Sequence, residues 1–435
     1  MNHSPSLPST DMSNLRRFLN IFSIVFAGEI IFSLPFHIAR FFRPTLMDSL
    51  SITNSQLGDI FAIYGFMAML AYLPGGLLAD RFSAKKLMII SLIFTAIGGV
   101  YFAQAPSVNG LKLLYGFWGV TTIFLFWAPM LKVTRLTGGQ DAQGKAFGIL
   151  DGGRGLVAAT MATIAVYLLS IFFPANLDTL SDLQRHQALI TVIYFYTSLI
   201  LLAALLLWLC LPNTSPAKTS FCGSTSASTT FSITRFRSVM SKPVIWYQAL
   251  IVLTAYCCYK GLDYYGLYAI TAFDYDELES AQLMAYSAFL RPISAVIAGV
   301  VADRFSSSQV ILTSFCLALL SYLLFTTSSL HLFHGILIAN VFISFVLVFA
   351  IRAVYFALIA ESRLSTNVTG TSIGIISLAG FTPDVFFAPL TGRILDAYPG
   401  LDGFNQVFLL LALIAALGVF ATYKLNREIK KHAIP

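Results

Sequence analysis

Apolar runs of about 20 residues, each long enough to cross ~30 Å of hydrocarbon as a helix, recur along the whole 435-residue chain. Charged residues make up 11% and apolar residues 57%, with a mean hydropathy of +0.78. A soluble protein of this length would carry roughly twice that charge fraction. Helices apolar on every side have no readable face, so spans are placed by length and by charged or Gly/Pro interruptions. The first set reads 18–41, 57–78, 86–105, 112–133, 146–172 and 189–211. The second reads 243–268, 281–302, 308–327, 335–359, 371–392 and 404–424. The fold class expected is an all-α membrane protein with twelve transmembrane helices in two pseudo-symmetric six-helix bundles. Its parts are a tail at 1–14, a bundle at 15–212, a Ser/Thr-rich linker at 213–242, a second bundle at 243–424 and a tail at 425–435.

A short charged phrase between the second and third runs, Gly75–Leu87, returns between the eighth and ninth. Ala79–Ser83 and Ala302–Ser306 are identical, offset by 223 residues. A duplicated half of this kind is characteristic of secondary transporters. The phrase resembles the helix 2–3 signature of the major facilitator superfamily, Gly-x-Leu-Ala-Asp-Arg-x-Gly-Arg-Lys. Gly76, Leu78, Ala79, Asp80, Arg81 and Lys85 match it, while Ser83 and Ala84 stand where Gly and Arg are usual. As structure, Gly76 is expected to allow close helix packing and Asp80 to face the positive N-terminal end of a neighbouring helix. The resemblance implies a conformational hinge that holds the outward-facing state and breaks on switching, with Asp303 and Arg304 as its second copy.

An even number of spans puts both termini on one side, and the distribution of basic residues assigns that side to the cytoplasm. With a cytoplasmic N-terminus, 18 of the 27 Lys and Arg fall on inner segments, while the 272–279 loop carries Asp274, Asp276, Glu277 and Glu279. The net charge of +7 therefore reports orientation in an inner (plasma) membrane and not nucleic-acid binding. Residues 1–14 are polar and lack a cleaved-signal pattern, so the first apolar run is expected to be the first helix. Cys210, Cys222, Cys257, Cys258 and Cys316 have no metal-ligand spacing, and no metal or cofactor is expected. Gly139–Ala146 nearly spells a phosphate-binding loop, but Ala146 lacks the hydroxyl that would hold magnesium and no βα unit surrounds it. The expectation is a carrier driven by a gradient or by exchange, and no enzyme.

Ionisable residues inside the spans are the informative set, because each costs about 2.5–3.5 kcal/mol at a helix centre. They are Glu29, His37 and Arg40 in span 1, Asp151 and Arg154 in span 5, and Lys260 and Asp263 in span 7. Arg291, Arg352 and Asp384 follow in spans 8, 10 and 11. Asp151/Arg154 and Lys260/Asp263 have the i, i+3 spacing of self-neutralising pairs. His37 and Arg40 lie near a span end, where reaching out to water is the plain account. Arg291 and Arg352 have no counter-ion on their own helix and need one elsewhere: a carboxylate such as Glu29 or Asp384, or an anionic substrate. Glu29, Asp263 and Asp384 are the proton-coupling candidates, since a carboxyl in low dielectric can take up and release a proton during a cycle.

The resemblance also implies that helices 1, 4, 7 and 10 line the path, which brings in Tyr259 among the tyrosines of span 7. Buried tyrosine hydroxyls need partners that a polar substrate can supply. Residues 37–71, with Phe-Arg-Pro at 42–44, Gln-Leu-Gly at 56–58 and Tyr-Gly at 64–65, resemble organophosphate and organic-anion members. Those members keep an arginine well before the proline turn. Here Arg40 and Arg43 stand close to Pro44, and His37 lies nearer that place. The expected substrate-binding set is Arg291, Arg352, Lys260, Tyr259, His37 and Arg40. The expected cargo is a small anionic or zwitterionic organic solute, with a neutral sugar, a larger chelate or a non-transporting sensor as alternatives. Its partners are that solute, the bilayer and either protons or a counter-transported anion, and a monomer is expected.

Overall fold

The computed structural model describes residues 14–138, 143–173, 180–212, 240–327, 334–362 and 366–431. Most of the 213–242 linker, the start of the 139–146 loop and the ends of both tails lie outside the described residues. The described chain is helical almost throughout. α1 is Asn14–Ile30 continued by a π turn at Ser33–His37 and Ile38–Phe41, with a bend of 41° between its parts. α2 is Asn54–Arg81, α3 Ala84–Phe102, α5 Gln143–Ser170 and α6 Asp182–Cys210. α4 runs through Val108–Thr122, a π turn at Ile123–Trp127 and Ala128–Gly138. α7 runs through Pro243–Gly261, a 3₁₀ turn at Leu262–Tyr264 and Tyr265–Phe273. α8 is Glu277–Ala288 and Leu290–Arg304, α9 Ser307–Phe325, and α10 His334–Val354 with a 3₁₀ turn at Tyr355–Ala357 and Leu358–Glu361. α11 is Thr366–Gly380 and Pro383–Ala397, and α12 is Leu401–Lys431. Nine of these helices are long and apolar enough to cross a membrane among the described residues, and the bent α1 makes ten. α2 and α7 complete twelve by length.

Polar caps start three of the helices. Thr53/Gln56, Ser181/Gln184 and Asp276/Glu279 form reciprocal capping boxes at the starts of α2, α6 and α8. These starts lie at the end of the bundle away from Asn14 and Lys431, called here the far end. The repeated phrase folds twice into the same junction at the near end. α2 ends at Arg81 and α3 begins at Ala84; α8 ends at Arg304 and α9 begins at Ser307.

The two halves meet through α2 against α11 and α5 against α8. Glycines set the first contact. A Cβ at Gly58 would lie 2.5 Å from the Ala388 carbonyl, one at Gly65 2.6 Å from Asp384 backbone, and one at Gly392 would collide with the Asn54 carbonyl. Small residues let backbones touch where lipid supplies no hydrophobic drive. At the hinge the close approach falls one residue before the expected one. A Cβ on Gly75 would meet the Phe124 carbonyl at 2.9 Å, whereas one on Gly76 meets nothing within 4 Å. The reason is helical phase: Gly75 faces α4 and Gly76 is turned off it. The Asp80 side chain lies outside the described residues. Arg81, Asp303 and Arg304 are exposed, without an ion pair or hydrogen bond among the described residues. Sequence reasoning passed over Glu361 at the end of α10, which accepts from the Ser307 and Ser308 amides and caps α9.

Gly65→Val should overpack the α2–α11 contact and lower stability by about 1–3 kcal/mol. Gly76→Val should change it by less than about 0.5 kcal/mol, as for a surface position. Thermal unfolding of the two purified variants checks the contrast, and equal losses would remove it.

Candidate functional site

Where the halves meet at mid-membrane, the ionisable residues of α1, α5, α7, α8 and α11 form one layer. Glu29, with its side chain 6% exposed, is its hub: Oε2 lies 3.0 Å from Arg154 Nε, and Oε1 lies 3.2 Å from His37 Nε2 and 3.5 Å from Arg291 Nη1. Arg291 also donates to Asp151 Oδ1 at 2.9 Å, so one α8 cation is held by carboxylates from α1 and α5 of the other half. Gly155 makes room for it, since a Cβ there would lie 3.1 Å from Arg291 Cδ. Arg40 of α1 crosses to α7, donating to Asp263 Oδ1 at 2.5 Å and to the Tyr259 hydroxyl at 2.6 Å. Lys260 Nζ pairs with Asp384 Oδ1 of α11 at 3.0 Å and sits 4.6 Å from the Phe36 ring centre and 5.2 Å from that of Phe61, both in the first half. The Tyr256 hydroxyl donates to both Asp384 oxygens at 3.0 Å. The layer is open at Asp151, whose side chain is 55% exposed, and tight around His37, Arg40 and Arg291. His37, Arg40 and Arg291 line a cavity of only about 20 Å³ together with Met284, Phe345 and Phe349, which is room for about one water.

Several sequence expectations give way to this geometry. Asp151/Arg154 and Lys260/Asp263 do not neutralise themselves: each of the four takes its partner from another helix. The i, i+3 spacing brings such groups near one another, but the packed interface offers each a closer opposite charge with less water around it. His37, 2% exposed, does not reach out to water, and Arg40 is 14% exposed at its side chain. Glu29 and Asp263 supply polar partners inside the protein. Asp384 serves Lys260 and neither arginine, and Glu29 serves Arg291.

Arg352 stands apart. Its guanidinium lies 3.5 Å from the Tyr259 ring centre and 5.8 Å from that of Tyr256. No carboxylate among the described residues pairs with it, and its Nη1 has no hydrogen-bond partner. Tyr259 is thus held between two guanidiniums, with Arg40 4.4 Å from the same ring. The π and 3₁₀ turns among the described residues, at 33–37, 123–127, 262–264 and 355–357, lie in α1, α4, α7 and α10, while α8 and α11 are broken by short turns at 289 and 381–382. Non-α turns re-aim side chains at such places.

A search confined to ionisable residues inside the spans missed the bonds that close the far end. Glu277 accepts from Thr45 at 2.6 Å and from Arg185 at 2.7 Å, both in the other half. Asp396 at the end of α11 accepts from the Asn54 and Ser55 amides at 3.2 and 2.8 Å, capping α2 across the interface. Arg393 pairs with Asp59 at 2.9 Å. The signal available in the sequence was the clustering of these charges at span ends.

A family model described as Major Facilitator Superfamily matches residues 25–384. The chain belongs to that superfamily. It is accordingly a membrane transporter and not an enzyme. It is similar to two proteins of Escherichia coli (strain K12). It is 23% identical to inner membrane protein YqcE over 427 residues, covering 96% of each chain. It is 26% identical to inner membrane protein YihN over 422 residues, covering 94% of this chain and 96% of that one. The solved structure of a bacterial homologue of the human lysosomal transporter Spinster, inward-facing and unoccupied, superposes with a TM-score of 0.71 at 14% identity. It covers 97% of this chain and 98% of that one. At that identity the likeness bears on the fold alone.

Lys260→Met should leave Asp384 buried and unpaired and cost about 3–5 kcal/mol, while Lys260→Met with Asp384→Asn should recover most of it. Thermal unfolding of the single and double variants checks this, and a double variant no more stable than the single would show that the pair is not a closed unit.

Proposed function

We propose that the protein is a secondary carrier for a small organic anion, bound at mid-membrane with Arg352 as its chief cation. The observation that carries the reading is the spare guanidinium of Arg352. Among the described residues of the layer, Arg40, Arg154, Lys260, Arg291 and Arg352 face four carboxylates, Glu29, Asp151, Asp263 and Asp384. One positive charge is left over, and an uncompensated cation at that depth is costly unless an anion reaches it. Tyr259 and Tyr256 flank it with aromatic faces, while Arg291, Arg40, Lys260 and His37 surround the adjoining layer. Proton coupling follows from competition in this reading. An anion that engages Arg291 or Arg40 takes a partner from Glu29 or Asp263, and the released carboxylate can accept a proton; Asp384 beside Lys260 is the third such group.

The described bonds between halves run from this layer to the far end, which fits a carrier closed on the far side and loaded from the near side. The basic residues of the inner segments make the near side cytoplasmic, and relatives named inner membrane proteins support that membrane. Alternating access then exchanges the far closure for a near one.

A thermal-shift screen of carboxylates, sulfonates, phosphates and neutral sugars tests the cargo class, because a ligand that binds the folded state raises its midpoint. At least one anion should stabilise the wild type. Arg352→Lys should weaken that binding at least tenfold while leaving the empty protein's midpoint unchanged, since an ammonium cannot reproduce the guanidinium fork. Stabilisation by a sugar alone, unaffected by Arg352→Ala, would replace the anion reading. Trans-stimulated counterflow of the stabilising solute in proteoliposomes separates a carrier from a sensor.

A further inference from the structure

Arg43, just past the end of α1 at the far side, is 1% exposed. Among the described residues no carboxylate pairs with it and its Nε has no partner. Its contacts are a 3.3 Å bond from Nη2 to Asn54 Oδ1 and the Tyr264 ring, whose centre lies 4.1 Å from Cζ. The carboxylates nearby are engaged elsewhere: Glu277 by Thr45 and Arg185, Asp396 by the Asn54 and Ser55 amides, and Asp59 by Arg393. A guanidinium kept only to brace the fold is expected to have a carboxylate, because its desolvation is otherwise uncompensated.

Both contacts also belong to the far closure. Tyr264 comes from the opposite half, where its hydroxyl donates to the Ala388 carbonyl at 3.3 Å. Asn54 opens α2, and its amide is one of the two Asp396 holds. Parting α2 from α11 therefore strips the ring from Arg43 and turns a buried, unpaired cation toward the opening. Along the path, Arg352 stacks on Tyr259, Arg40 bonds the same residue from the far side, and Arg43 stacks on Tyr264 about one turn beyond. Arg43 is thus a second guanidinium without a carboxylate partner among the described residues, lying farther toward the far end than Arg352.

We propose that Arg43 is a second anion-binding residue, used when the far end is open. It takes the carboxylate, sulfonate or phosphate group of an anion arriving from that side before the group passes to Arg352. The proposal rests on the anion-carrier reading, and it assigns Arg43 to the far-open state as Arg352 is assigned to the near-open one.

The test uses full-length protein in proteoliposomes with Cys210, Cys222, Cys257, Cys258 and Cys316 replaced by serine and Thr391→Cys added. Thr391 is fully buried in the closed far end beside Tyr264. The probes are 2-sulfonatoethyl methanethiosulfonate, itself a small sulfonate, and its trimethylammonium counterpart. The new cysteine should react faster with the sulfonate. Arg43→Gln should reduce the sulfonate-to-ammonium rate ratio about tenfold, and Arg43→Lys should preserve most of it, as a single local charge would. A ratio unchanged by Arg43→Gln makes Arg43 a structural brace and overturns the proposal. So does the absence of reaction with both reagents, because the far end would then never present Arg43. The ratio reads the field at Arg43 without any cargo, so its failure is distinct from failure of the Arg352-dependent screen.

Discussion

Everything in the middle of this protein depends on the cost of a charge in hydrocarbon. Charged side chains such as Glu29, Arg154, Lys260, Arg291 and Asp384 lie well inside the predicted spans, and an unpaired one there costs enough to disfavour the helix that carries it. The fold meets that cost between helices. Glu29 serves Arg154, His37 and Arg291, Asp151 also serves Arg291, Asp263 serves Arg40, and Asp384 serves Lys260. Because the Arg291 and Arg40 pairs cross between halves, the charges that make membrane insertion tolerable also hold the halves together. A carrier must part its halves, so its closure is built from bonds that an incoming charged solute can compete for.

The duplication gives this arrangement a register. Arg40 and Asp263 are 223 residues apart, the offset of the repeated phrase, so they occupy matching positions on α1 and α7 and meet each other. The same offset relates His37 to Lys260. Matching positions in two pseudo-symmetric bundles lie at equal depth, and identical charges there would repel. Opposite charges turn that juxtaposition into a clasp, with Tyr259 beside it held between two guanidiniums. Non-α turns interrupt α1, α4, α7 and α10, and such turns re-aim the side chains they carry.

The two ends of the bundle are held differently. At the far end, α2 and α11 approach backbone to backbone at Gly58 and Gly392, with Gly65 packed on Asp384 deeper in the bundle, and Asp396 caps α2 from the opposite half. Among the described residues, near-end bonds of comparable strength stay within a half, as where Glu361 caps α9 or Lys132 donates to the Ala79 carbonyl at 2.7 Å.

The twelve spans, their grouping into two sets of six and the duplicated junction could be read from the sequence, because lipid forces each crossing to satisfy its own backbone and charge marks the crossing's ends. The list of buried charges was readable for the same reason: an Arg or Glu inside an apolar run is conspicuous. Their pairing was not. Spacing along one helix pointed to Asp151 with Arg154 and Lys260 with Asp263, but it is blind to opposite charges brought from other helices by packing. Arg291 and Arg352 looked alike as sequence, each a cation without a counter-ion on its own helix. Only the tertiary structure separates them, since α8 crosses beside Asp151 and Glu29 whereas Arg352 on α10 faces aromatic rings. A one-dimensional pattern records that a charge needs a partner, and three-dimensional packing decides which partner it finds.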